Sequence, residues 1–431
     1  MPVPGLPVKS AQARAPQAVC YSVNWRCSIA RTLHSTVRER ERAFLVAVET
    51  QRHGAGGGWD SESSLEELGE LVRTAGGAVV GQAVQKLGSP NPAHYVGTGK
   101  LKEIVAQRES AGYTLVVFDD ELSPSQQRNL EKALDVKVLD RTALILDIFA
   151  MRARTREGRL QVELAQDEYL LPRLAGQWSH LERLGRASGQ GSIGVRGPGE
   201  TQLETDRRLV RNRISKLKRQ IEDVRRQRSL YRSRRAKAGV PIVALVGYTN
   251  AGKSTLMRAL THADVLVEDQ LFATLDPITR RVHLPSGRTV LLSDTVGFIQ
   301  KLPTQLVAAF QATLEELKEA DLLLHVLDIT HPDAAQQSET VDATLAELGL
   351  SERPRVVALN KVDLLARDGQ RIESIAELAE YDVSLAAQQP DAVLLSAARG
   401  WGLEDLLARI DDVLRRREGD RVARAAASRS T

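Results

Sequence analysis

The sequence predicts a mixed α/β chain in three parts: an N-terminal α/β domain on a parallel sheet, an antiparallel helical (coiled-coil-like) hairpin, and a P-loop nucleotide-binding domain. Three observations carry that expectation. Short apolar strand-like runs alternate with helical ones over residues 40–155, two heptad-like stripes flank a glycine cluster over 156–238, and a buried-type strand runs straight into GYTNAGKS at 247–254. The 431 residues suffice for several domains. With 42% hydrophobic and 26% charged residues the mix is that of a globular protein. No stretch approaches the roughly 20 apolar residues of a membrane span.

Residues 1–39 read as a disordered or targeting-like tail. Its first 38 positions hold no acidic side chain but carry Lys9, Arg14, Arg26, Arg31 and Arg38 among Ala, Ser, Val and Pro. That composition is shared by organelle transit peptides, so a mitochondrial location stands as the alternative to the expected cytoplasmic one. Cys20 and Cys27, the chain's cysteines, lie in this tail with neither zinc-type spacing nor enough partners for a disulfide framework.

In the N-terminal domain (40–155), Phe44–Val48, Ala78–Val80, Leu115–Phe118 and Lys137–Leu139 are expected strands. Leu65–Arg73, Leu101–Ser110 and Ser125–Leu134 are expected helices, the last opening on Ser123-Pro124 in cap and first-turn positions. The glycines of HYVGTGK (94–100) match no phosphate-binding fingerprint and read as a tight turn.

The hairpin (156–238) follows from side-chain spacing. Leu160, Leu164, Leu171, Leu174, Trp178 and Leu181 form one stripe, and Val210, Ile214, Leu217, Ile221, Val224 and Tyr231 another. Two such helices should fold back on each other, with Pro172 kinking the first. Between them, residues 185–199 hold six glycines together with Arg186 and Arg196. So long a glycine loop is surplus to closing a hairpin and reads as a segment that orders on RNA. Residues 204–237 carry 14 Lys/Arg against 4 Asp/Glu, a local charge of +10 inside a net charge of +4. The polyanion-seeking charge is therefore confined to one arm. Arg207, Arg208, Arg211, Arg213, Lys216, Lys218 and Arg219 are its candidate phosphate contacts; the alternative is a solvated, salt-bridged helix face.

The nucleotide domain (239–416, followed by a basic tail at 417–431) carries the chemistry. Strand Pro241–Val246, then Gly247, Tyr248, Thr249, Asn250, Ala251, Gly252, Lys253 and Ser254, then a helix from Thr255, is the context in which backbone N–H groups wrap phosphates. Lys253 is expected to reach the β- and γ-phosphates and Ser254 to ligate Mg²⁺. Strand Thr289–Ser293 delivers Asp294, Thr295, Val296 and Gly297, with Asp294 on the metal and the Gly297 N–H on the γ-phosphate. Between them FATLDP (272–277) lies where a switch loop belongs. Phe272, Ala273 and Thr274 are assigned to nucleotide contact there, Thr274 as second metal ligand, with Thr279 the alternative hydroxyl. Lys253, Thr274 and Gly297 form the expected catalytic set. Asn360, Lys361 and Asp363 in NKVD (360–363) follow a buried strand, and Asp363 can accept from the N1–H and exocyclic amine of guanine, a donor pair that adenine lacks. Strand Val393–Leu395 leads to the Ser396, Ala397 and Ala398 turn, whose backbone caps the guanine O6 in the proteins that this one resembles. Phe298 stands where many signalling GTPases keep a water-orienting glutamine; Asn250, in GxxNxGKS spacing, suggests K⁺ as a further cation.

GPGETQLETDRR (197–208), GYTNAGKSTL (247–256), DQLFATLDP (269–277) and DTVGFI (294–299) together resemble the HflX family of GTPases. LDRTALILDIFAMRART (139–155) and GRLQVELAQ (158–166) are similar to it as well, and the likeness covers residues 43–415. The resemblance implies a Ras-like G domain taking GTP and GDP, and binding of the large ribosomal subunit and its rRNA, the hairpin entering near the peptidyl-transferase region. It further implies splitting of stalled or idle ribosomes, notably under stress; the alternative is a GTPase timer in large-subunit assembly without splitting. A monomer is expected. Some members carry a further C-terminal domain, whereas about 30 residues follow Trp401 here, leaving that domain's contacts unassigned.

Overall fold

The computed structural model describes residues 40–50, 60–174, 198–237, 239–261, 271–272, 274–301, 317–367, 370–371, 377 and 392–427. The tail 1–39, the glycine-loop arginines Arg186 and Arg196, Trp178, Leu181 and Ala273 lie outside them.

Four parallel strands, β1 (Arg42–Thr50), β2 (Ala78–Leu87), β3 (Leu115–Phe118) and β4 (Lys137–Asp140), form the N-terminal sheet in the order β2-β1-β3-β4. The central strands β1 and β3 are buried on both faces and need helices on both. Leu65, Leu68 and Leu71 of α1 (Ser61–Thr74) and Leu144, Ile148 and Phe149 of α4 (Arg141–Arg152) cover one face. Ile104 of α2 (Thr98–Ala111) and Leu130 and Leu134 of α3 (Pro124–Leu134) cover the other. Ser123 and Gln126 close a reciprocal capping box at the start of α3. HYVGTGK turns through Tyr95 at a φ of +66° and hands over to α2 at Gly97.

The hairpin pairs α5 (Arg156–Leu174) with α6 (Pro198–Lys237). Leu164 meets Ile214, Leu217 and Ile221, with Leu160, Leu171 and Val210 at the margin. The ion pairs run antiparallel, Glu157 with Arg228 at one end and Asp167 with Arg213 toward the other. α5 continues through Pro172 to Leu174. Its C-terminal end is fixed to the N-terminal sheet by Asp140, which accepts from the Tyr169 hydroxyl (2.9 Å) and from Arg173 (3.1 Å).

The G domain is built on β5 (Ile242–Val246), α7 (Lys253–Thr261), β6 (Ile278–His283), β7 (Thr289–Asp294), β8 (Leu322–Asp328), α8 (Ala334–Glu347) and β9 (Arg355–Asn360). A small antiparallel pair, β10 (Ala366–Arg367) and β11 (Gln370–Arg371), then β12 (Val393–Leu394) and α9 (Leu403–Ala427) complete it. The main sheet runs β12-β9-β8-β5-β7-β6, parallel except for β6. Helix α9 extends through most of the segment expected to be a tail.

One apolar cluster ignores the domain boundary. Leu65, Phe149 and Tyr169 of the N-terminal half share it with Tyr248, Leu271, Phe272, Leu275 and Ile299 of the G domain. Burying one such large apolar side chain contributes roughly 1.5–3 kcal/mol, so this contact is a major part of what holds the two domains.

Candidate functional site

The buried strand β5 ends at Val246, and the chain turns through Gly247–Gly252 into the N-terminus of α7, where unpaired N–H groups face the turn. Asn250 is exposed there with a φ of +59°. Gly252 has a φ of +93°, and a Cβ on it would lie 2.2 Å from Asn360 Nδ2, so conformation and space both require glycine. Asn360, ending β9, donates to Ala251 O (2.9 Å) and accepts from Ala397 N (3.0 Å). One amide therefore ties the phosphate loop to the Ser396–Ala397 turn.

Lys253 is 6% exposed, its Nζ donating to Gly247 O (3.1 Å) and Tyr248 O (2.7 Å). Burial pulls its pKa down to about 8, with Asp294 working in the opposite direction. A desolvated amine in a ring of carbonyls is poised to gain from an anion. Gly297 lies directly against Nζ.

Asp294 ends β7 fully buried. Its Oδ2 accepts from Ser254 Oγ (2.7 Å) and Thr274 Oγ1 (2.9 Å), and those hydroxyls are 2.8 Å apart. Its Oδ1 is buried with no hydrogen-bond partner among the described residues. Burial pushes the Asp294 carboxyl up, with Lys253 and the two hydroxyls opposing. Two hydroxyls gathered on Asp294 Oδ2, beside the partnerless Oδ1 of the same carboxylate, form a hard-oxygen donor set that suits an octahedral divalent cation such as Mg²⁺. The alternative hydroxyl, Thr279, sits on β6 facing Ser293 (3.3 Å), away from this group.

On the base side, Lys361 takes a left-handed φ of +68° and pairs with Asp328 (2.7 Å). Asp363 follows, half-buried in the single 3-10 turn Val362–Leu364. Ser396 is buried, its turn closed by paired bonds with Trp401, and Ala398 is exposed beside it. Thr255 is half-buried on α7, Thr295 bonds Leu245 O through its hydroxyl, and Val296 packs at the edge of the interdomain cluster.

Two expectations change. Phe272, assigned to nucleotide contact, turns its ring into the interdomain core, 2% exposed and edge-on to Phe149 with centroids 4.6 Å apart, so its contact to nucleotide falls to the backbone. Ala273 is outside the described residues, and among those described Thr274 bonds Ser254, just after the phosphate loop. On the arm, Arg213 pairs with Glu163 (3.2 Å) and Asp167 (3.3 Å), and Lys218 with Glu168 (2.8 Å). Helix α5 thus adds acids to the few that α6 carries, and these two cations stitch the hairpin. Arg208, Arg211, Lys216 and Arg219 are exposed and Arg207 is half-buried.

Phe298 is 3% exposed in a core with Val246 and Leu317, so no polar side chain follows Gly297 on the phosphate side. Its backbone accepts from Thr249 N (2.7 Å) and donates to Gly247 O (3.1 Å), fastening the segment after β7 to the phosphate loop.

Sequence reasoning missed the contacts behind this loop. The Tyr248 hydroxyl accepts from Gln300 N (2.8 Å) and donates to Glu67 of α1. Burial, then Glu67, pushes that phenol's pKa up and keeps it a donor. Arg141, 1% exposed, binds Glu67, Asp119 (2.6 Å) and Ser64 O (3.2 Å). Lys301 pairs with Asp119 and Asp120 (2.6 Å). Burial alone would raise the Asp119 carboxyl, but Arg141 and Lys301 outweigh it and hold it below its ordinary value. Asp119 lies between the ends of β1 and β3, where the order of the parallel sheet reverses and where such sheets present their ligand crevice. Here the chain's own Lys301 fills it.

Family profiles described as GTP-binding GTPase N-terminal, GTP-binding GTPase Middle Region and 50S ribosome-binding GTPase match residues 62–150, 152–235 and 242–361. The chain is 52% identical over 349 residues to the GTPase HflX of Caldanaerobacter subterraneus subsp. tengcongensis, covering 81% of this chain and 79% of that one. It is 50% identical over 371 residues to that of Alkalihalophilus pseudofirmus, covering 86% and 81%. With that of Escherichia coli it shares 47% over 350 residues, covering 81% and 79%.

Proposed function

Since the chain belongs to the HflX family and is thus a guanine-nucleotide-binding, GTP-hydrolysing enzyme, we propose that it works on the large ribosomal subunit, splitting stalled or idle ribosomes with its basic arm against rRNA. The single observation that carries the proposal is the joining of arm to switch: α5 starts on residues that bond Asp276 of the segment containing Thr274. The exposed cations Arg208, Arg211, Lys216 and Arg219 line the other helix of that arm.

In this reading Ser254, Thr274 and Asp294 would hold Mg²⁺, whose charge would offset that of the phosphates, and Lys253 would add a second cation there. The Gly297 N–H faces the γ-phosphate. Asp363 selects guanine, because a buried acceptor left unpaired by adenine is costly. With Phe298 turned into the core, the attacking water lacks a side-chain partner at that position, so basal turnover is slow and waits on the ribosome. Asn250 offers an oxygen to K⁺ beside the phosphates.

The experiment is GTP turnover with and without purified large subunits across a salt series, together with sedimentation of intact ribosomes. Stimulation that weakens steeply with salt is expected, along with dissociation into subunits in the presence of a non-hydrolysable GTP analogue. Binding without dissociation favours the assembly-timer reading, and no stimulation at any salt overturns the ribosomal partner. Replacing K⁺ by Na⁺ in the same assay lowers turnover if Asn250 holds the ion, and equal rates remove it.

A further inference from the structure

Thr274 is suspended between two anchors on other parts of the chain. Two residues before it, Phe272 is locked edge-on to Phe149 of α4 with its backbone left-handed at a φ of +56°. Two residues after it, Asp276 accepts from the amides of Arg154 and Thr155, each at 2.8 Å, and from the Thr155 hydroxyl. Those groups open α5, the first helix of the arm, and the same hydroxyl accepts from Gly158 N at 3.0 Å. The fit is close: a Cβ on Gly158 would fall 2.4 Å from Asp276 Oδ1. Thr155 thus caps the helix through the bond from Gly158 N, while Asp276 holds the two amides just before the helix and the capping hydroxyl, and places negative charge at the helix's positive end.

We propose that Asp276 is a positioning residue for GTP hydrolysis: anchored on the N-terminus of the arm's first helix, it holds Thr274 at the Ser254–Asp294 metal site, so that arm and threonine move as one body. The proposal rests on the nucleotide reading above. Its physical basis is lack of slack, since two residues of chain span at most about 7 Å and Leu275 between them is 3% exposed in the same cluster. A displacement at the start of α5 is delivered to Thr274, and coupling of this kind is reciprocal.

The test uses the full chain. Asp276→Ala should lower kcat for GTP roughly tenfold to a hundredfold, the cost of a small misplacement at a reacting centre. It should also raise the Mg²⁺ concentration for half-maximal turnover and leave GDP affinity within about twofold. Asp276→Asn, which keeps one acceptor oxygen, should fall between. Hydrogen exchange at residues 154–158 should differ between GDP and GTP-analogue complexes of the wild type, and Asp276→Ala should erase the difference. Thr155→Val removes the hydroxyl contact to Asp276 together with the bond from Gly158 N but keeps both amide contacts, and should shift turnover and Mg²⁺ dependence in the same direction by less. Wild-type Mg²⁺ dependence in Asp276→Ala, or no nucleotide-dependent exchange at 154–158 in the wild type, overturns the proposal. Failure of the wild type to bind GDP at all would instead sink the nucleotide reading.

Discussion

His325 stands in the middle of β8, 1% exposed, and neither ring nitrogen has a hydrogen-bond partner among the described residues. Burial first, then the positive charges of Arg355 and Lys253, drives its pKa down to about 4, with Asp342 offsetting in part. The unfolded chain takes up this proton near pH 6.5. Between the two values the unfolded state holds more protons, so stability is complete above about pH 6.5 and drains as pH falls toward 4. His325→Leu should flatten that limb and raise stability at pH 7 by on the order of 1 kcal/mol, by removing buried unpaired nitrogens. Urea midpoints at pH 7 and pH 5 measure both effects; an unchanged slope would show that this imidazole does not titrate as described. At this scale the sequence was most legible where backbone chemistry dictates residue type. GYTNAGKS, DTVG and NKVD name loops whose phosphate, metal and base contacts depend on local geometry. The direction of the Phe272 ring was not legible, because nothing local decides which way a ring beside a ligand loop turns.

The arm shows how an element can be legible in shape and misread in charge. The apolar spacing of α5 and α6 located the hairpin and its inner stripe, because a 3.6-residue period survives any context. The charge balance of α6 did not reveal that Glu163, Asp167 and Glu168 lie across from it. Two kinds of cation follow. Arg213→Ala should lower thermal stability slightly, by about 0.5 kcal/mol given its exposure, and leave the salt dependence of RNA binding near wild type. Arg211→Ala and Lys216→Ala should do the reverse, each lowering the salt slope by about one without moving the melt. Fluorescence anisotropy on an rRNA fragment, paired with thermal melts, separates the groups, and identical behaviour of all three variants would contradict the division. Helix α4 went unread for the opposite reason. Ala143–Ile148 is a mostly apolar run, buried nearly all round, and such a run carries no period by which to tell a helix from a strand.

Across the whole molecule, the decisive contacts join residues far apart in the chain. Glu67 meets Tyr248, Asp119 meets Lys301, and Arg141 reaches the carbonyl of Gln300. No window of sequence contains such pairs, which is why the domain order was readable and the junction was not. The shared cluster from Leu65 through Phe149 to Phe272 and Ile299 has no seam at that junction. Calorimetry should therefore record one endotherm for the N-terminal half and the G domain together, displaced as a unit by saturating GDP according to mass action; two peaks, with one indifferent to nucleotide, would disprove the merger. The same seamlessness has a consequence for the fate of damaged copies. If the chain comes apart all at once, quality-control proteases meet no stable stub, and clearing it leaves behind no isolated G domain.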